Sequence, residues 1–253
     1  AQINLPLPNA KAWSPEEPNL YQCQIEYEGS QYQTRFGLRT LTWDSEAGLL
    51  INGVRRILKG ACIHHDNGLL GAAAFPDAER RKVKLLQEAG YNAIRSAHNP
   101  CSKALLDACD ELGMLVMDEY VDMWYTHKTR YDYANDFSDW WRQDLADMVD
   151  KDFNHPSVIL YSTGNEVSET AEPRGIELTK ELTEHLHGLD PTRPVTCGVN
   201  IFFNYLSSLG FGVYTDEKAQ KEKKKAVGSE FYNKLAGLLG DKTMKLGATL
   251  RGS

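Results

Sequence analysis

The sequence predicts an α/β protein in which a parallel sheet with crossover helices follows a short all-β stretch. Three observations carry this expectation. Residues 1–40 alternate with the two-residue period of strands and contain no helical period. From about residue 50, short apolar runs alternate with amphipathic stretches of helical spacing. The resulting strand–loop–helix unit recurs until there are five strands, the pattern of a parallel sheet whose crossovers are helices.

Taken in order, residues 22–27 alternate as a half-buried strand, Glu28-Gly29-Ser30 turns the chain, and residues 31–35 alternate again. Two or three strands in forty residues bury no core of their own, so this stretch reads as the terminal strands of a β-sandwich. Residues 49–51 and 55–58 flank Asn52-Gly53, and both of those residues tolerate positive φ, which marks a hairpin. Residues 56–62 read as the first strand of the repeating units. Residues 76–89 form a helix opened by Asp77 and Glu79, with Val83, Leu85, Leu86 and Ala89 apolar and Gly90 as its stop. Strands at 91–96 and 114–117 bracket a helix at 102–112 that Gly113 ends. A longer helix at 137–153, N-capped by Ser138, leads to a strand at 158–162. A helix at 175–189 and a short strand at 195–198 follow.

Five strands centred near residues 58, 93, 116, 160 and 196 fit a doubly wound sheet or a barrel. No GxGxxG follows the first strand, which argues against a dinucleotide-binding sheet. A barrel gathers its chemistry at the carboxyl ends of its strands.

Composition excludes some classes of function. The chain has 253 residues, 42% hydrophobic and 25% charged, an ordinary globular balance. It has no run of eighteen apolar residues, so no membrane partner is expected. A formal net charge of -7 argues against a nucleic-acid partner, which needs a basic face. Residues 1–10 show no basic region followed by an apolar core, so no signal peptide is visible. Cys23, Cys62, Cys101, Cys109 and Cys197 are odd in number, irregular in spacing and without a CxxC. They read as free, buried thiols in a reduced, cytoplasmic compartment.

The strand ends are polar in every unit: His64-His65-Asp66, then Arg95 with His98-Asn99, then Asp118-Glu119 with Asp122 and Trp124, then Gly164-Asn165-Glu166, then Asn200. The opposite ends carry plain helix stops. His64 and His65 point to opposite faces if the strand alternation continues, and no HxH, HExxH or Cys/His cluster at zinc spacing occurs, so no metal or other cofactor is expected. Glu166 is the sharper signal. A general acid near neutral pH is a carboxyl in a partly desolvated pocket, which the end of a buried strand supplies. Asn165 beside it can donate to a ligand hydroxyl. A glutamate at a strand end also caps loops or pairs with arginine, and the residues alone leave those roles open.

Several stretches are similar to those of one family. Residues 13–21, Trp-Ser-Pro-Glu-Glu-Pro-Asn-Leu-Tyr, resemble its "WSPExPxLY"; residues 35–39, Arg-Phe-Gly-Leu-Arg, resemble "RFGFR". Residues 50–60 resemble "LNGxPxxxxG", residues 92–100 resemble "NAIRxSHxP", and Asp118-Glu119 and Gly164-Asn165-Glu166 complete the ordered set. The family is glycoside hydrolase family 2, which includes β-galactosidases, β-glucuronidases and β-mannosidases. The resemblance implies that residues 1–40 end an immunoglobulin-like β-sandwich. It also implies that residues 41–253 are the N-terminal part of a (β/α)₈ TIM barrel, about five of its eight strands.

The same resemblance implies a retaining glycosidase acting on a carbohydrate substrate, a β-galactoside before a β-glucuronide or β-mannoside. Glu166 matches its general acid/base and Asn165 its contact to the sugar 2-hydroxyl. His98 and Arg95 match positions that line the pocket or brace its carboxylates, and His64 the first-strand histidine. Asp118, Glu119 and Trp124 are expected in the pocket wall or just behind it. The sequence departs from the family after the first strand, reading Cys62-Ile63-His64-His65 where many members read Asn-Arg-His-Glu. The magnesium pattern of the best-known β-galactosidases is not clear in residues 120–125, so that metal is not carried over.

A retaining glycosidase needs a second carboxyl as nucleophile. Glu230 in Gly228-Ser229-Glu230-Phe231 is a poor candidate. It follows a lysine-rich run, and Phe231, Leu235, Leu238 and Leu239 after it keep helical spacing, which puts it near a helix start. The expectation is a piece of a longer glycosidase, weakly active or inactive alone, whose open sheet edge leaves homo-oligomerisation open. The alternative is a non-catalytic sugar-binding or assembly module of the same fold.

Overall fold

The computed structural model describes residues 4–129 and 131–208, which fold into three sheets and five α-helices. β1 (Tyr21–Tyr27) and β2 (Ser30–Phe36) form an antiparallel hairpin paired from Tyr21 and Phe36 to Tyr27 and Ser30. Glu28 and Gly29 make its turn at positive φ. Ile25, Tyr27 and Tyr32 stand exposed on it. β3 (Leu41–Asp44), β4 (Gly48–Ile51) and β5 (Val54–Arg56) form a separate antiparallel meander. Asn52 and Gly53, at φ 52° and 76°, turn β4 into β5, as a two-residue hairpin of this type requires.

The five-stranded sheet is parallel, in the order β6 (Gly60–Ile63), β7 (Ala93–Ser96), β8 (Leu115–Glu119), β9 (Val158–Ser162), β10 (Val195–Thr196). Strands neighbouring in sequence are neighbours in space throughout, without the reversal of order that marks a doubly wound sheet. That is the wall of a partial barrel. α1 (Pro76–Glu88), α2 (Lys103–Leu112), α3 (Ala134–Asp152) and α4 (Pro173–Leu189) connect successive strands, and α5 (Ile201–Ser208) follows β10.

Several boundaries shift by one or two residues, and two differ by more. The expected strand at 56–62 is divided: β5 stops at Arg56 and β6 starts at Gly60. Between them the Lys59 N–H donates to Asn92 Oδ1 and Asn92 Nδ2 donates to the Ile57 carbonyl, so this backbone crosses from one sheet to the other on a side-chain amide. The long helix begins at Ala134, and Ser138 lies inside it. Tyr133 stands at the N-cap without a side-chain bond, and the Asp132 carboxylate just before it holds the entry turn, accepting from the Lys128, Thr129 and Ala134 N–H groups. α2 follows its stop signal, Gly113 ending it in the left-handed region, while Ser102, read as its first residue, is its N-cap, with Oγ accepting from the Leu105 N–H at 3.1 Å.

The main core lies between the sheet and its helices, where Val116 and Val158 meet Leu106, Phe137, Leu145 and Leu182. A second cluster packs Trp13, Leu49 and Ile51 against Ala93, Leu115 and Ile159, closing the N-terminal end of the sheet. The segment before β1 and the one after β2 are fastened there. Trp13 is fully buried and donates Nε1 to the Asp110 carbonyl at 2.8 Å. Arg35 reaches Asp107 and Glu111, and Arg39 donates to the Pro156 and Val158 carbonyls at 2.6 Å each. The Trp-Ser-Pro and Arg-Phe-Gly-Leu-Arg stretches are thus the fastening of the floor.

All five cysteines are free. Cys101 and Cys109 are buried, but Cys62 is exposed, contrary to the reading of all five as buried thiols, because β6 is an edge strand of this sheet. No described helix is long and apolar enough to cross a membrane. Glu230 and the helical spacing that follows it lie outside the described residues.

Candidate active site

Parallel register decides which strand-end side chains meet. Cys62 pairs with Arg95, Arg95 with Met117, and Glu119 with Ser162, so these residues share one face of the sheet. Strand side chains alternate, and Asp118, one residue before Glu119, therefore faces the helices. Asp118 is fully buried and accepts from the Cys101 N–H at 2.8 Å and from Lys151 Nζ at 3.0 Å. The structure does not bring it to the cluster of the other strand-end groups.

On the opposite face Arg95 is the hub. Its Nε and Nη2 donate to the two oxygens of Glu119 at 2.9 and 2.8 Å, its Nη2 also to Asn165 Oδ1 at 2.5 Å, and its Nη1 to Cys62 Sγ at 3.2 Å. Hydrogen bonding to Glu119 outweighs desolvation and raises the Arg95 pKa above its ordinary value, so the guanidinium stays charged. Glu119 is 0% exposed and accepts a further bond from Ser162 Oγ at 2.8 Å. His98 lies beside it, with Nδ1 3.4 Å from Glu119 and 3.9 Å from Asp122. The His64 ring stands edge-on to His98, ring centres 5.1 Å apart, while His65 approaches the Asn99 carbonyl.

The β9 end supplies the remaining polar groups. A Cβ on Gly164 would come within 2.8 Å of the Val167 side chain and 3.0 Å of Trp124 Nε1, so the chain passes here only as glycine. Trp124 is 0% exposed, donates to the Thr163 carbonyl at 2.9 Å and stacks on Phe137. It braces the β9 end from within the core and does not line the cluster's open side. Asn165 is 8% exposed, with Nδ2 donating to Asp122 Oδ1 at 2.8 Å. Glu166 is half-buried at φ 46°, and its Oε1 accepts from Asn200 Nδ2 at 2.7 Å. A non-glycine residue in that region costs on the order of 1 kcal/mol or more and persists where its surroundings over-determine it, often at functional sites.

Two participants carried no signal in the sequence. Lys128 sits in the β8–α3 loop, where no period applies; its Nζ lies 2.9 Å from Asp122 Oδ1 and donates to the Asn165 carbonyl. Ser162 is the last residue of an apolar strand and looks like core until register sets it beside Glu119. Asp122 was legible as a polar strand-end residue without a role. Desolvation alone would raise its pKa, but Lys128, with Asn165 and His98, holds its carboxyl below the ordinary range.

Among the described residues, Asp107, Asp110 and His155 lie close enough to share a cation, on the far side of the sheet's core from this cluster. Arg35 already pairs with Asp107, and Asp110 holds His155 Nδ1 and the Ser157 N–H, so the group is satisfied by protein partners.

The arrangement offers one carboxyl, Glu166, with a single described side-chain donor, beside a network in which Glu119 and Asp122 are both paired with cations. Such an arrangement suits proton transfer at Glu166 and hydrogen bonding to a hydroxylated ligand.

Comparison with known proteins shows the family of this part of the chain. The model of glycosyl hydrolases family 2, TIM barrel domain, matches residues 45–236, and that of glycosyl hydrolases family 2 matches residues 1–39. The chain is 39% identical over 224 residues to the β-galactosidase BoGH2A of Bacteroides ovatus, covering 74% of this chain and 26% of that protein. It is 38% identical over 202 residues to a putative β-glucuronidase of Formosa agariphila, covering 78% of this chain and 19% of the relative. A solved glycosyl hydrolase family 2 member from Bacteroides cellulosilyticus superposes with a TM-score of 0.72 at 45% identity, covering 78% of this chain and 27% of that one. The chain thus spans about a quarter of the length of these relatives.

Proposed function

Because this chain belongs to glycosyl hydrolase family 2, we propose that it carries the acid/base half of the active site of a retaining β-glycosidase. Glu166 is the general acid/base in this reading. It protonates the glycosidic oxygen as the bond to the anomeric carbon breaks, then takes a proton from the water that releases the sugar. Asn165 donates to the sugar 2-hydroxyl, Arg95 and Glu119 hold Asn165 and the pocket wall, and His64 and His98 flank the sugar. The nucleophile comes from a part of the protein other than the described residues. The sugar is a β-galactoside before a β-glucuronide or β-mannoside, and residues 1–40 belong to the sandwich domain ahead of the barrel.

One observation carries the reading: Glu166 is held at positive φ at the end of a buried strand, hydrogen-bonded by Asn200, next to an Asn165 locked into the Arg95–Glu119 network. The test is hydrolysis by the full-length protein and its Glu166→Gln variant on aryl β-glycosides with poor and with activated leaving groups. Poor leaving groups need the proton, so they lose hydrolysis and activated ones suffer less at the glycosylation step. Equal loss for both kinds overturns the acid/base role. Sugar binding without turnover by the full-length protein overturns the enzyme in favour of a sugar-binding module.

A further inference from the structure

We propose that Asp122 and Lys128 are positioning residues that lock the Asn165 amide in one orientation and fix the peptide joining Asn165 to Glu166. The inference rests on the reading of Glu166 and Asn165 given above.

The argument is a count of the polar groups of Asn165. Its N–H donates to the Val121 carbonyl at 3.2 Å, and its carbonyl accepts from Lys128 Nζ. Its Oδ1 accepts from Arg95 Nη2 at 2.5 Å, and one Nδ2 hydrogen goes to Asp122 Oδ1 at 2.8 Å. An amide nitrogen has two hydrogens, so one remains for a ligand. A half-turn of the amide would aim Nδ2 at the Arg95 donors and Oδ1 at the Asp122 carboxylate, setting donor against donor and acceptor against acceptor. A cation on one side and an anion on the other therefore fix the amide orientation.

Lys128 has two tasks. At 2.9 Å it neutralises Asp122, keeping an uncompensated anion away from the site. It also holds the carbonyl of the peptide that leads into the positive φ of Glu166. Both side chains come from the β8–α3 loop, so that loop holds the end of the neighbouring strand β9. Positions like these set how closely a reacting group keeps its productive geometry.

The experiment is a set of variants of the full-length protein assayed on aryl β-glycosides with and without the 2-hydroxyl. Asp122→Ala and Lys128→Met are expected to lower kcat by about 30-fold or more on the 2-hydroxy substrate, with KM within about 3-fold, because the loss is one of alignment. On the 2-deoxy substrate, where Asn165 has no hydroxyl to meet, Asp122→Ala costs about 3-fold or less. Lys128→Arg, which keeps the charge, recovers most of the Lys128→Met loss, and Asp122→Asn, which keeps an acceptor for Asn165, costs clearly less than Asp122→Ala. In an Asn165→Ala background Asp122→Ala has almost no further effect, since the two act as one unit. Thermal melts identify any variant that does not fold, and the comparison of Asp122→Asn with Asp122→Ala and the Lys128 pair then carry the test.

Equal losses on both substrates for Asp122→Ala, additive losses in its cycle with Asn165→Ala, or an unchanged kcat for Lys128→Met each overturn the proposal. Failure of the acid/base reading shows elsewhere: Glu166→Gln then affects poor and activated leaving groups alike, while the cycle between Asp122 and Asn165 still reports on the clamp.

Discussion

The Arg95 guanidinium meets the Glu119 carboxylate through two hydrogen bonds, of 2.9 and 2.8 Å, and Glu119 has no exposed surface. Removing one partner of such a pair leaves a buried charge uncompensated. Arg95→Met is expected to destabilise the fold by about 3–5 kcal/mol, read as a lowered denaturant midpoint with an unchanged slope. Glu119→Gln keeps an acceptor for Arg95 and is expected to cost clearly less.

Asn200 supplies the one described side-chain donor to Glu166. A typical hydrogen bond contributes about 0.5–1.5 kcal/mol. Asn200→Ala is therefore expected to lower kcat of the full-length protein by about 3- to 10-fold, together with a lowered melting temperature, because Asn200 Oδ1 also accepts from the Phe202 N–H at the start of α5. Steady-state kinetics beside a thermal melt checks this, and a lowered melt with unchanged kcat contradicts it.

Gly113 is a helix stop with a second duty. It sits at φ 75°, and a Cβ there would lie 2.0 Å from the Pro15 carbonyl oxygen. Gly113→Ala must push the Trp13–Pro15 segment off the floor of the sheet. The expected cost is about 2–4 kcal/mol, from overpacking plus left-handed strain. Trp13 should become more exposed, which the emission lost on adding Trp13→Phe to each protein reads; a Trp13 contribution with the same emission maximum in both contradicts the prediction.

Acid should release the Asp122 clamp. The folded Asp122 carboxyl titrates below its ordinary value because Lys128, with Asn165 and His98, outweighs the burial that would raise it. A depressed folded pKa means the stabilisation is fully present above the unfolded value of about 3.9. It is lost as pH falls through the lower folded value. The stability advantage of the parent over Asp122→Asn should thus be constant near neutrality and shrink below about pH 4. Denaturant titrations at a series of pH values measure it; an advantage that grows in acid would show the opposite shift.

Much of the architecture was legible because local chemistry fixed it. Asn52-Gly53 turns a hairpin wherever apolar strands flank it, and Ser102 and Gly113 bound α2 by their own hydrogen-bonding and conformational preferences. The apolar run 158–162 is a strand at the bounds read from its pattern. Boundaries failed where a side chain outside the element took over the backbone: Asn92 divided the expected strand at residues 57–59, and the turn held by Asp132 lets α3 start at Ala134, ahead of Ser138.

By itself, the sequence determined the order of strands and helices, the family, and a row of polar residues at the strand ends, since these follow from periodicity, turn chemistry and motif. Only the tertiary structure decided which of those residues meet. Alternation across the sheet sent Asp118 to Lys151 and Glu119 to Arg95, though they are adjacent in sequence. Parallel register brought Ser162 to Glu119, and loop closure brought Lys128 to Asp122 and Asn165. Hydrogen bonds and ion pairs act over a few ångströms in space, and distance along the chain does not encode them.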